Sequence, residues 1–191
     1  MNSTICPLCG QSGARETRPA EYAYKECGLP GVRLSGGVVE TSCTLCGEQS
    51  VTILKEGQLL QLIALVLLTT SRKLSGPELR FLRRSCQLSQ AALAAHLKKR
   101  RETVAEREAK SDPKLSEAEE TWFRLIALRE FSEALGRPGV NLLSAVHRRR
   151  LELFIREFSQ RAAQLSEHAV ERSALRLETS GDNWQFNESA A

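Results

Sequence analysis

Two short cysteine hooks, Cys6-Pro-Leu-Cys9-Gly10 and Cys43-Thr-Leu-Cys46-Gly47, constrain this chain more than any other feature. Two residues between sulfurs let one tight turn aim both thiolates at a single ion. The glycine after each second cysteine can take the positive φ that swings backbone N–H groups toward the sulfurs. Residues 10–42 separate the hooks, enough for a small β-rich loop that returns the second hook to the first. A donor set of four cysteines favours Zn2+ and leaves no open position for water or substrate. That argues for a structural ion held by Cys6, Cys9, Cys43 and Cys46. The competing readings are a disulfide pair and a redox dithiol. A redox dithiol usually appears once, in a βαβ setting, and no βαβ pattern is visible here. Cys27 has no hook partner and reads as a half-buried thiol.

The remaining composition is that of a soluble globular protein, 41% hydrophobic and 26% charged over 191 residues. Six cysteines with no apolar secretory segment at the start give the expectation of a reducing, cytoplasmic compartment. The most apolar run, Leu59–Leu68, is about half the length that spans a bilayer, so it reads as a buried helix and no membrane is expected as a partner. Net charge is +4, unevenly placed. Residues 72–110 hold 11 Lys/Arg against 4 Asp/Glu, while the segments before and after are slightly acidic. A local field of that sign attracts polyanions, and nucleic acid is the commonest in a cell.

Along the chain the expected fold is mainly α with a small β-rich metal module. Residues 1–54 form the four-cysteine module, with β-favouring runs at 21–25, 38–40 and 50–53 punctuated by glycine and proline. A segment so small buries too little to fold alone, and metal binding would supply much of its folding free energy. Residues 55–71 read as a linker helix with leucines on several faces, which must be covered by a neighbouring domain or a second protomer. Residues 72–135 read as short capped helices. Ser75-Gly-Pro-Glu78, Ser89 and Ser116-Glu-Ala-Glu119 mark three starts. A basic turn, Lys98-Lys-Arg100, joins two helices of about eight residues, which is helix-turn-helix geometry. Trp122, Leu125, Ile126 and Arg129 line one side of the following helix. Residues 136–178 read as a long C-terminal helix in which Leu151, Ile155, Phe158, Ala162, Leu165 and Ala169 make a near-heptad seam, suited to a dimer or to packing within the chain. Residues 179–191 are expected to be a disordered tail.

The run Leu88-Ser-Gln-Ala-Ala-Leu-Ala-Ala-His-Leu97, followed by Glu102-Thr-Val104 and Glu108 and preceded by Leu74-Ser-Gly-Pro-Glu-Leu-Arg-Phe-Leu-Arg83, resembles the XRE-type helix-turn-helix. With the cysteine hooks in front, the arrangement is similar to the MqsA antitoxin family and its YgiT-type zinc-finger relatives over roughly residues 5–130. The resemblance implies a zinc domain, then a five-helix DNA-binding and dimerising domain that represses its own promoter. In antitoxins of this family the zinc module also holds a toxin. Carried across, Ser89 and Gln90 begin the bracing helix against phosphate, and Lys98 and Lys99 contact phosphates. Arg100 caps the recognition helix, while Arg101, Glu102, Thr103 and Glu106 face base edges. Val104 faces inward, and Glu108 has a structural role.

Several positions depart from that pattern. Glycines usually stand where Gln87 and Lys98 stand, and a non-glycine residue in a left-handed turn costs about 1 kcal/mol. Arg107 occupies a commonly apolar position. Glu102 and Glu106 put carboxylates on the face that would approach DNA.

The chain is expected to be a DNA-binding regulator, dimeric on a palindromic operator and antitoxin-like. The alternative is an adaptor that grips a toxin through its zinc module and keeps the helices for dimerisation. No Walker loop, G-x-S-x-G or HExxH is present, and His96 falls on a different helix from His147 and His168, so no enzyme is expected.

Overall fold

A computed structural model describes residues 4–70, 72–135 and 175–186. Those residues fall into two compact units. The first contains described residues 4–26, 31–57 and 175–186; the second contains 27–30, 58–70 and 72–135.

The first unit is built from two four-stranded sheets. One runs in the order β1 (Thr4–Ile5), β2 (Ser12–Thr17), β5 (Val38–Cys43), β6 (Gln49–Ile53), antiparallel throughout. Each hook is therefore the turn of a hairpin: the first joins β1 to β2, the second joins β5 to β6. Pairing of β2 with β5 sets Ala14 opposite Cys43, which brings both turns to the same end of the sheet. The polar sequence of β2 gives little local strand signal, and the strand exists because β5 offers it a ladder.

The second sheet runs β3 (Tyr22–Ala23), β4 (Arg33–Ser35), β7 (Arg176–Ser180), β8 (Asn183–Phe186). β7 lies parallel to β4, pairing Leu34 with Leu177, and both side chains are buried. Trp184 of β8 is buried and donates from Nε1 to the Leu54 carbonyl at 2.5 Å. Residues 176–186 thus form a hairpin that completes the N-terminal unit, which corrects the expected helix over 176–178 and disordered tail from 179. Two buried apolar side chains and a tight turn at Gly181 stabilise what local composition leaves ambiguous. The expected seam from Leu151 to Ala169 lies outside the described residues.

The second unit is helical: α1 (Glu56–Thr69, from Gln58 onward), α2 (Gly76–Ser85), α3 (Gln90–His96), α4 (Arg101–Ala109) and α5 (Glu117–Leu135). The expectation of a mainly α chain is accordingly revised to mixed α/β. α1 buries Leu59 and every residue from Leu62 to Leu68, as a helix apolar on most faces must. Its last carbonyls, which lack intrahelical partners, receive the buried Arg124 guanidinium, at 2.9 Å from Leu67 O and 3.0 Å from Leu68 O. Glu120 holds that guanidinium at 2.8 Å and also accepts from the Leu74 N–H at 3.0 Å. The Glu120–Arg124 pair is an i,i+4 step on α5, but nothing in the local sequence announces its partners at Leu67, Leu68 and Leu74.

All three expected helix starts carry their cap contacts. Glu78 accepts from the Ser75 N–H at 2.7 Å, Ser89 accepts from the Ala92 N–H at 3.0 Å, and Ser116 and Glu119 bond reciprocally at 3.2 and 3.3 Å. Gly76 has a second role. A Cβ there would stand 2.2 Å from the Lys110 carbonyl and 2.3 Å from that of Arg107, so only glycine lets the start of α2 meet the end of α4. Leu79, Leu93, Leu97, Val104, Leu115 and Phe123 converge on a cleft of about 20 Å³, too small for a ligand. On α5 the inward side is Phe123, Ile126 and Ala127, while Trp122 and Leu125 remain exposed. The side predicted from spacing is thus divided between core and solvent.

Candidate functional site

The four hook cysteines converge. All their sulfurs lie within 4.8 Å of one another, with Cys6 Sγ 3.9 Å from Cys46 Sγ and Cys9 Sγ 3.8 Å from Cys43 Sγ. A disulfide needs about 2.05 Å, whereas sulfurs placed tetrahedrally about 2.3 Å from one ion sit about 3.8 Å apart. The donor set therefore fits a single metal ion. Cys27 is half-buried and is not among these ligands.

The hooks share one backbone pattern. Cys6 N–H donates to Gln11 O and Cys43 N–H to Glu48 O; Gly10 N–H returns to Cys6 O and Gly47 N–H to Cys43 O, all at 2.9–3.0 Å. Gly10 at φ 73° and Gly47 at φ 75° supply the left-handed step that this pattern requires. Backbone N–H groups of Cys46 and Leu45 lower the Cys43 thiol to about 7. A backbone hydrogen bond from Glu48 acts in the same direction on Cys46, but desolvation and the neighbouring sulfurs outweigh it and push that thiol up to about 12. Four thiolates this close need a cation among them. The outer residues of the cluster are apolar and open to solvent: Ile5, Leu8 and Leu45 are each 60% or more exposed.

The second group of candidate residues lies on α3, the turn 97–100 and α4. Lys98, Arg100, Arg101, Glu102 and Glu106 are exposed, Thr103 is half-exposed, and Val104 is buried. Arg100 stands at the N-cap position of α4 without a side-chain cap bond, which leaves its guanidinium to solvent. Gln87 at φ 58° and Lys98 at φ 51° both occupy the left-handed region. Two expected phosphate contacts are already engaged elsewhere. Gln90 Nε2 donates to Glu108 Oε2 at 3.0 Å, and Lys99 Nζ lies 3.1 Å from Glu119 Oε1. Arg107 donates to both oxygens of Glu119 at 3.1 and 3.2 Å. Desolvation opposes the Glu119 charge, but hydrogen bonds from Lys99, Ser116 N–H, Arg107 and Ser116 Oγ prevail and hold the carboxyl at about 2. Spacing alone misses Glu119; its capping-box position is legible, its partners are not.

Behind these elements, Glu108 is fully buried and clasped by Arg83, whose Nη1 also donates to Leu88 O at 2.8 Å. Burial opposes its ionisation, yet Arg83, Gln90 and Arg80 keep it below the ordinary carboxylate range. The pair ties α2 and the α2–α3 loop to α4. No family model, curated protein or solved structure matches the chain. Among the described residues no helix is long and apolar enough to cross a membrane.

Proposed function

We propose that this protein is a transcriptional regulator that binds double-stranded DNA sequence-specifically, with Zn2+ in the four-cysteine head and an XRE-type helix-turn-helix formed by α3, the turn 97–100 and α4. The observation that carries the reading is the exposed row Arg101, Glu102 and Glu106 on α4, with half-exposed Thr103 between them and the N-cap Arg100 in the exposed basic turn before them. Two short helices joined across four residues, the second with Arg101, Glu102 and Glu106 exposed while Val104 packs inward, suit a major groove. Arg101 would take guanine O6/N7 and Glu102 would accept from cytosine N4. Lys98, with Ser89 at the start of α3, would meet phosphates. The order of hooks, then capped helices, supports placing the chain near MqsA-family antitoxins, acting as a homodimer on a palindrome at its own promoter. Zinc is the ion that four thiolates at this spacing hold best, and a closed four-sulfur shell gives it a folding role, not a catalytic one.

Selection of bound sequences from random duplexes with purified full-length protein tests the reading. A recovered palindrome supports it. Recovery of unenriched sequence, with no loss of affinity between low and moderate salt, would overturn it.

A second reading has its own support. Ile5, Leu8 and Leu45 ring the metal head with exposed apolar surface, which suits an adaptor that grips a protein such as a toxin. Such a grip would be nearly indifferent to salt, and replacing Leu8 and Leu45 with serine would abolish it while leaving DNA affinity intact.

A further inference from the structure

The first two turns of α5 reach α3, the turn 97–100 and α4, every part of the proposed DNA-binding element. Trp122 Nε1 donates to His96 O at the end of α3 (3.2 Å), Glu119 holds Lys99 in the turn (3.1 Å), and the same carboxylate holds Arg107 on α4 (3.1 Å). Arg107 is largely buried, with 19% of its side chain exposed, whereas Lys99 is 42% exposed and free to swing outward. An ammonium in this position is offered one anion by its own chain and would be offered another by a duplex.

We infer that Glu119 limits DNA affinity by occupying Lys99 as a phosphate would, so that binding requires exchange of this carboxylate for a phosphate oxygen. The inference rests on the DNA-binding reading above. Arg107 keeps the carboxylate in place after the exchange, so Glu119 remains close to the incoming phosphate as a repulsive charge. An exposed ion pair is weak enough to break on binding yet strong enough to register.

Affinity of the full-length protein for a short random-sequence duplex, measured across a salt series, tests this. Glutamine preserves the capping box with Ser116, so Glu119→Gln removes the charge and keeps the helix start. It should tighten binding roughly two- to fivefold at low salt and steepen the dependence of log affinity on log salt by about 1. Adding Lys99→Ala to Glu119→Gln should cancel the gain. Glu117→Gln, an equal charge change one turn-edge away, should give a smaller gain with no change of slope. Ser116→Ala loosens the same cap but leaves the carboxylate, and should also leave the slope unchanged. If Glu119→Gln matches Glu117→Gln, or its gain survives Lys99→Ala, the inference is wrong while DNA binding stands. If the unaltered protein binds no duplex at any salt, the DNA-binding reading fails and takes the inference with it.

Discussion

Arg83 meets Glu108 at two points inside the helical unit, Nε to Oε1 at 2.5 Å and Nη2 to Oε2 at 2.8 Å, with 1% of the glutamate side chain exposed. Removing one member of such a pair leaves the other charge buried without its partner. Glu108→Ala should cost about 3–5 kcal/mol in denaturant unfolding, and replacing both residues with apolar ones of similar volume should recover most of it. Equal losses in the single and double variants would show that packing, not charge, dominates here.

The same chemistry makes the helical unit acid-labile. Burial is the largest influence on Glu78 and Glu108 and opposes their charge, but Arg72 and Arg83 respectively reverse it, and Glu119 is held at about 2. Each folded pKa lies below its unfolded value. The stability these groups contribute is therefore fully present above the ordinary glutamate range and is lost as pH falls through it toward about 2. Melting temperature followed by helical circular dichroism should be flat near neutrality and fall steadily below about pH 5. Glu108→Gln should flatten part of that fall.

Gln87 and Lys98 each hold a left-handed backbone without being glycine. Gln87→Gly and Lys98→Gly should each raise stability by about 0.5–1 kcal/mol, because the Cβ penalty is removed. Their effects on duplex binding should differ. Lys98→Gly should weaken binding to all sequences alike, since it deletes the proposed phosphate contact, whereas Gln87→Gly should leave affinity unchanged. A filter-binding comparison of the two separates backbone relief from lost charge.

The two tryptophans report on different units: Trp184 is 3% exposed in the strand unit and Trp122 is 54% exposed in the helical one. In a Trp122→Phe background, a strong zinc chelator should shift Trp184 emission to the red as the head unfolds, and one equivalent of Zn2+ should restore it. Cys43→Ser should give the red-shifted spectrum whether or not metal is added. An unshifted spectrum in the chelated protein would show that the two sheets fold without an ion.

The hooks are legible in the sequence because metal chemistry fixes their spacing locally: Cys-x-x-Cys-Gly encodes its own turn, and the structure shows both turns with the glycine φ the pattern needs. The caps at Ser75, Ser89 and Ser116 are legible for the same reason, since each partner lies within three residues. What escapes is non-local. Arg176 pairs with Arg33 across more than a hundred residues, and neither neighbourhood carries a mark of the other. The Arg124 bracket on α1 and the hold of Glu119 on Lys99 likewise depend on where helices meet, which periodicity does not specify. Gln90 shows the same limit: its position suggests a phosphate contact, and only the structure shows its side chain bonded to the buried Glu108 carboxylate.

The parallel pairing of β7 with β4 makes completion of the second sheet wait for the end of synthesis. The helical stretch through Leu135 leaves the ribosome well before Trp184 does, so it can reach its native form while the head still lacks two strands of its second sheet. Until the last hairpin emerges and docks, β4 presents an open edge, and a nascent chain in that condition is the one most exposed to proteases and to pairing with a neighbour.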